Sequence, residues 1–136
     1  MQTVIPELLR EETLELLAAL GAFTAYAALA RPPRVPRGSA ALVFRVLNDG
    51  RSVRARDEAI IGRSHENAVV LEDPRVSRSH ARVVRRGAQA WVEDVGSRNG
   101  TYVNGQQIEH AVELRPGDRI EMGASAVEFV GMEPWK

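Results

Sequence analysis

Hydrophobic positions follow two different periods along this chain. Between Pro6 and Ala30, the residues Leu9, Leu16, Leu20, Phe23 and Ala27 recur at helical steps. That spacing predicts a helix over roughly 6–30. Pro6 suits its first turn. Glu7, Glu11, Glu12 and Glu15 crowd its start and Arg31 follows its end, both favourable for the helix dipole. Gly21 is a weak point within it. The second half, LLAALGAFTAYAALA, is apolar nearly all round, and a helix of that kind must be covered. As a helix it is about 22 Å long, short of the roughly 30 Å of a bilayer core. A membrane span would therefore need mismatch, although the arginines that follow suit a positive-inside orientation. The preferred reading packs this helix on its own domain or pairs it with a second copy. Small residues such as Ala18, Gly21, Ala22 and Ala25 would line that contact.

Residues 31–39, RPPRVPRGS, hold three prolines and read as a semi-rigid linker. From residue 40 the period shortens. ALVFRVLN precedes the turn Asp49-Gly50. AIIG, AVVL, ARVVRR, AWVEDV, TYVN, QQI, RIEM and AVEFV then follow as short strand-like runs. Asn104-Gly105 is a strong hairpin signal, and Pro116-Gly117-Asp118 marks another turn. Many short strands with frequent turns predict an all-β sandwich. The organisation expected is thus a helical segment over 1–30, a Pro/Arg linker over 31–39 and a β domain over 40–136.

Composition narrows the function. The 136 residues suit one domain with an appendage. There is no cysteine, which excludes disulfides, thiol catalysis and cysteine metal sites. Eighteen basic residues balance 18 acidic ones, so no net field drives the chain onto nucleic acid or an anionic membrane. Any basic recognition must be local. Seventeen of the 18 basic residues are arginine, whose planar fork suits oxyanions. The start lacks the early positive region of a signal peptide, so the expected location is the cytoplasm.

The stretch VSRSHARV, residues 76–83, concentrates candidate chemistry. Ser77 or Ser79, His80 and Asp94 supply the residue types of a hydrolytic triad. Yet Ser79 and His80 are neighbours, and neighbours on a strand face opposite ways. No G-x-S-x-G elbow is present. His65, His80 and His110 form no metal-binding spacing, and no phosphate loop of the G-x-x-x-x-G-K-[ST] type occurs. Neither catalysis, nor a metal, nor a cofactor is predicted.

Three segments read together give a sharper picture: IIGRSHENAVVLEDPRVSRSHARV at 60–83, WVEDVGSRNGTYVNGQQI at 91–108 and LRPGDRIEMGASAVEFV at 114–130. Gly62-Arg63, Ser77-x-x-His80, Asn99-Gly100 and Asn104-Gly105 follow in this order. The chain over about 40–130 resembles the forkhead-associated (FHA) domain family. The resemblance implies an eleven-stranded β-sandwich, here preceded by an N-terminal α-helix, whose loops at one end bind phosphothreonine peptides.

The resemblance also implies roles. Gly62 lets the backbone turn and Arg63 meets the phosphate or the peptide backbone. Ser77 donates its hydroxyl to a phosphate oxygen, and Arg78 offers its backbone N–H and charge. Arg98 is a further contact to the phosphate or its surroundings, and Asn99 bonds the peptide main chain. His80 holds the loops from beneath, and Gly100 permits a sharp turn. Asn104-Gly105 turns a hairpin without touching ligand. Arg75 would favour an acidic residue downstream of the phosphothreonine, against the alternative of a surface arginine paired with Glu72 or Asp73. The physical logic agrees, since a phosphothreonine carries about −1.5 to −2 charge and three strong acceptor oxygens. The partners implied are phosphothreonine proteins, among them a Ser/Thr kinase or its substrate, in a bacterium. Neither nucleic acid nor a membrane is a predicted partner. A rival reading keeps the sandwich as a phosphate-independent scaffold and assigns function to self-association through residues 6–30. Thr13 is a candidate for phosphorylation and self-capture, but the predicted helix would hide it.

Overall fold

A computed structural model describes residues 38–136. The expected helix over 6–30, Thr13 and all but the last two residues of the linker lie outside the described residues.

Alternating burial organises what is described. The strands are β1 (Ala40–Val46), β2 (Ser52–Arg56), β3 (Glu58–Gly62), β4 (Val69–Val70), β5 (Ala81–Arg86), β6 (Gln89–Asp94), β7 (Tyr102–Val103), β8 (Gln106–Gln107), β9 (Val112–Leu114), β10 (Arg119–Met122) and β11 (Ser125–Pro134). They form two sheets, of order β2-β1-β11-β10-β7-β8 and β4-β3-β5-β6-β9. All pairs are antiparallel except β3 with β4, which run parallel. The eleven-stranded all-β sandwich expected from the sequence is the fold observed.

In β5, Ala81 and Val83 are buried while Arg82 and Val84 are half-buried; in β6, Ala90 and Val92 are buried. The register sets Val83 opposite Val92, so both point inward. The facing sheet contributes Leu42, Phe44, Ile120, Met122 and Phe129 to the same core. The Phe44 and Phe129 rings lie 5.9 Å apart at a tilt of 55°, a favourable edge-to-face-like arrangement. A bulge between Val43 and Phe44 shifts their partners from Gly131 to Phe129.

The strand reading needs three corrections. The segments SVRAR and VEL are strands β2 and β9, which the run of apolar residues did not announce. Both are edge strands, and β2 carries exposed Arg54 and Arg56, the charged composition that keeps an edge from pairing with another chain. Strand β11 is longer than AVEFV and runs on to Pro134. Strand β5 begins at Ala81, so Ser79 and His80 belong to the loop before it.

The sandwich gathers three connections at one end: β3–β4 (63–68), β4–β5 (71–80) and β6–β7 (95–101). The opposite end holds the β2–β3 and β5–β6 turns and the start of β1.

Candidate functional site

The three loops are joined by hydrogen bonds that converge on Ser77. Its N–H donates to His80 Nδ1 at 3.0 Å. Its carbonyl accepts the Arg63 N–H at 3.0 Å. Its Oγ accepts the Arg98 N–H at 3.1 Å. The residue is thus fixed at backbone donor, backbone acceptor and side chain by three different segments. Because Oγ already accepts, its own proton is the part left to donate outward.

His80 is completely buried. Its Nδ1 accepts from Ser77, so its proton sits on Nε2, which donates to the Gly100 carbonyl at 2.8 Å. The backbone of His80 bridges further, from its N–H to the Ile61 carbonyl and from its carbonyl to the Val95 N–H. One imidazole therefore ties the β4–β5 loop to the β6–β7 loop. Both ring nitrogens are occupied, which leaves no lone pair to deprotonate a serine. Ser79 beside it is exposed.

Arg63 is exposed but anchored. Its Nε donates to the Val76 carbonyl at 3.1 Å, which leaves the terminal nitrogens free to face solvent. Gly62 ahead of it departs from the expectation of a turn residue. It ends strand β3, and a Cβ there would collide with the Arg78 backbone carbonyl. The glycine is needed for close approach of two backbones. Arg78 is exposed, and its N–H makes no hydrogen bond among the described residues. Its carbonyl receives the Ser64 N–H and the Asn67 side-chain amide, so loop 63–68 is bolted to it.

Asn99 Nδ2 donates to the Arg75 carbonyl at 2.7 Å. That partner fixes the amide orientation and leaves Oδ1 available as an acceptor at the exposed face. Gly100 has a φ of 85°, the left-handed region that a sharp turn requires. Asn104, with Gly105, turns the β7–β8 hairpin and spends its side chain on Asp118 and the Arg119 N–H.

Two carboxylates that the sequence reading did not place in this role hold the loops. Asp94 accepts from the Gly96 and Ser97 N–H groups at 2.9 Å each, from the Thr101 hydroxyl at 2.7 Å and from the Ser97 hydroxyl. Ser97 Oγ in turn accepts the Gly100 N–H at 2.9 Å. Burial pushes the Asp94 pKa up, but the Ser97 and Thr101 hydroxyls and the loop amides outweigh it and hold the carboxyl below its usual range. Asp73 accepts from the Arg75 N–H at 2.9 Å, the Ala124 N–H at 2.7 Å and the Ser125 hydroxyl at 3.1 Å. The Arg75 N–H bond is the largest cause lowering its pKa; burial opposes, and the Ala124 and Ser125 bonds assist. Asp73 thereby clips the β4–β5 loop to the β10–β11 turn in the other sheet. Both were legible locally: Asp73-Pro74 opens a turn, closed by the Val76 N–H on the Asp73 carbonyl. Asp94-Val-Gly-Ser has the form of a side-chain-capped turn.

These uses decide the local charge. Asp73 and Asp94 are taken by amides and hydroxyls, and Glu72 contacts His65 at 3.4 Å. Arg63, Arg75, Arg78 and Arg98 make no ion pair among the described residues. No salt bridge joins Arg75 to Glu72 or Asp73, although the Arg75 charge makes a minor contribution to lowering the Asp73 pKa. A chain of zero formal charge carries four open guanidinium groups at one end. An open cleft of about 650 Å³ runs beside them, lined by Arg63, Ser64, His65, Glu66, Arg78 and Ser79.

Comparison with known proteins agrees with this arrangement. The FHA domain model matches residues 59–123. The oxoglutarate dehydrogenase inhibitor of Corynebacterium jeikeium is 41% identical over 98 residues, covering 71% of this chain and 67% of the relative. The FHA domain-containing protein FhaB of Mycobacterium tuberculosis is 35% identical over 83 residues, covering 61% of this chain and 54% of FhaB. The match thus spans about half the length of FhaB. A solved structure studied for phosphothreonine-dependent FHA domain interactions superposes with a TM-score of 0.60 at 29% identity, covering 73% of this chain and 99% of that one. Fold, loop architecture and relatives coincide: the chain belongs to the forkhead-associated domain family.

Proposed function

We propose that this chain is a phosphothreonine-dependent binding module that captures a phosphorylated protein without chemically changing it. The observation that carries the reading is Ser77, whose hydroxyl accepts the Arg98 N–H and makes no donor bond among the described residues, beside the anchored Arg63 and the unengaged N–H of Arg78. A phosphate dianion needs converging donors on a rigid frame, and loops fixed by a scaffold supply them. In this reading Arg63 and Arg78 neutralise the phosphate and Ser77 and the Arg78 N–H bond its oxygens. Asn99 Oδ1 accepts a peptide N–H, and the Arg98 side chain adds charge. Arg75, which forms no salt bridge among the described residues, selects an acidic residue downstream of the phosphothreonine. Gly62, His80 and Gly100 keep the loops in place. The partner is a Ser/Thr kinase or a substrate of one, encountered in the bacterial cytoplasm. Relatives are bacterial, and among the described residues no helix is long and apolar enough to cross a membrane.

The test is binding of the purified chain to phosphothreonine, phosphoserine and unphosphorylated peptide libraries, with Arg63→Ala as control. Retention of phosphothreonine peptides that Arg63→Ala abolishes supports the module. Retention indifferent to phosphate and to Arg63 refutes it.

A further inference from the structure

The charge around the loops is not uniform. On the Asn99 flank stand Arg75 and Arg98, and the nearest carboxylates, Asp73 and Asp94, are satisfied by loop amides and hydroxyls. On the other flank the cleft that contains Arg63 and Arg78 also contains Glu66. Glu66 is exposed, and its carboxylate makes neither a hydrogen bond nor an ion pair among the described residues. The backbone that carries it is firmly placed. The Glu66 N–H reaches Ser64 Oγ, the Ser64 N–H donates to the Arg78 carbonyl at 3.2 Å, and Asn67 donates to that same carbonyl and to its own loop through Ser64 O. Gly62 brings the two backbones together beneath. The backbone of Glu66 is therefore held at a set distance from Arg78, which keeps its carboxylate within side-chain reach of the cleft.

We propose that Glu66 is a specificity residue that selects a basic side chain in the ligand, on the opposite flank of the phosphothreonine from the acid-selecting Arg75. The inference rests on the phosphothreonine reading. A free carboxylate beside a bound phosphate dianion is repelled by it. A ligand that carries arginine or lysine at this point removes the repulsion and gains a charge-assisted contact. The two flanks then read opposite charges, which fixes the direction in which a peptide lies across the loops as well as its sequence.

The experiment uses the full chain and a set of phosphothreonine peptides with arginine, alanine or glutamate placed in turn at each of the four positions before the phosphothreonine. Titrations run on the native protein, Glu66→Gln and Glu66→Arg. The expected result is a preference for arginine over glutamate of roughly three- to fivefold at one position, the range of exposed charge pairs. Glu66→Gln would erase it and Glu66→Arg would invert it. Equal strengthening of all peptides by Glu66→Gln would overturn the proposal, since Glu66 would then only repel phosphate. A preference that survives Glu66→Arg would overturn it too. Absence of phosphate-dependent binding in the native protein would remove the phosphothreonine reading itself, and this proposal with it.

Discussion

The two ends of the sandwich each rely on aspartates, but they use them differently. At the loop end, Asp73 and Asp94 bond amides and hydroxyls, and the arginines nearby stay open. At the far end, Asp57 pairs with Arg85 at 2.8 Å and also accepts the Ala40 N–H. Arg85 spends its remaining nitrogens on the Gly87 and Gly38 carbonyls at 2.9 and 2.7 Å. Asp57 takes a left-handed φ of 57° to do this, a conformation Asp tolerates better than most residues. The Ala40 N–H and the Arg85 guanidinium hold its carboxyl below the usual range. The far end is a closed staple, in which cation and anion cancel. At the loop end Asp73 and Asp94 take their hydrogen bonds from amides and hydroxyls, and Arg63, Arg75, Arg78 and Arg98 form no salt bridge among the described residues.

The sharpest way to break this comparison is to remove one arginine from each end. Arg63→Ala should weaken phosphothreonine-peptide binding roughly ten- to hundredfold, the range of a lost hydrogen bond to a charged group. Its melting temperature should stay near that of the native chain. Arg85→Ala should do the reverse. It leaves Asp57 and two backbone carbonyls without their donor, so melting should fall by roughly 5 °C or more, as for a loss of about 1 kcal/mol in a domain of this size. Affinity of the folded protein should not change. Calorimetry and peptide titration on both variants check the pair. Similar losses in both readouts for both variants would dissolve the distinction between the ends.

A carboxylate at the loop end should show a mixed effect. Asp94→Ala orphans the Gly96 and Ser97 amides and the Thr101 hydroxyl, in a partly buried place. The expected cost is about 2 kcal/mol of stability. Peptide affinity should also fall several-fold, because Asn99 and the Arg98 N–H on Ser77 ride on this loop. Denaturant unfolding with binding at a temperature where the variant is folded separates the two effects.

How much of this was visible in the chain depends on what each residue does. The sandwich was legible because burial alternates along β5, β6 and β10 and because the turn at Asn104-Gly105 is written in its residues. Edge strands β2 and β9 were not, because an edge needs little apolar sequence and β2 is rich in arginine. The site residues were named through a resemblance, and residue types alone would not have gathered Arg63, Ser77 and Asn99 from three loops. Gly62 was singled out for the wrong physical reason, since close approach of a backbone distant in sequence leaves no local trace. Asp73 was weighed only as a partner for Arg75 and Asp94 only as a triad residue type, although the turns that each of them opens carry a local signal.

Acidification should separate ligand from frame. Phosphothreonine loses its second charge with a pKa of about 6, so binding should fall several-fold between pH 7 and 5 while the protein stays folded. Asp73 and Asp94 have folded-state pKa values lowered below the unfolded value near 3.9. Their stabilisation is therefore fully present above that pH and is lost as pH falls further through the folded values. Melting temperature should stay level down to about pH 5 and drop below about 4. A joint decline of affinity and melting temperature near pH 6 would contradict this separation.

Ionic strength gives the smallest expected difference. The open guanidinium groups at the loop end meet phosphate at an exposed surface, where the screening length is about 10 Å at 0.1 M salt and about 3 Å at 1 M. Affinity for a phosphothreonine peptide should fall roughly two- to threefold between 0.05 and 0.2 M salt. The far-end staple responds differently. Arg85 is only 16% exposed and two of its three contacts are to neutral carbonyls, so its worth is set by hydrogen bonding more than by long-range charge. The melting difference between the native chain and Arg85→Ala should stay nearly constant over the same range. If that difference shrank with salt as steeply as peptide affinity did, the staple would be a charge pair like any other. The contrast between an end that cancels its charges and an end that keeps them would then lose its physical basis.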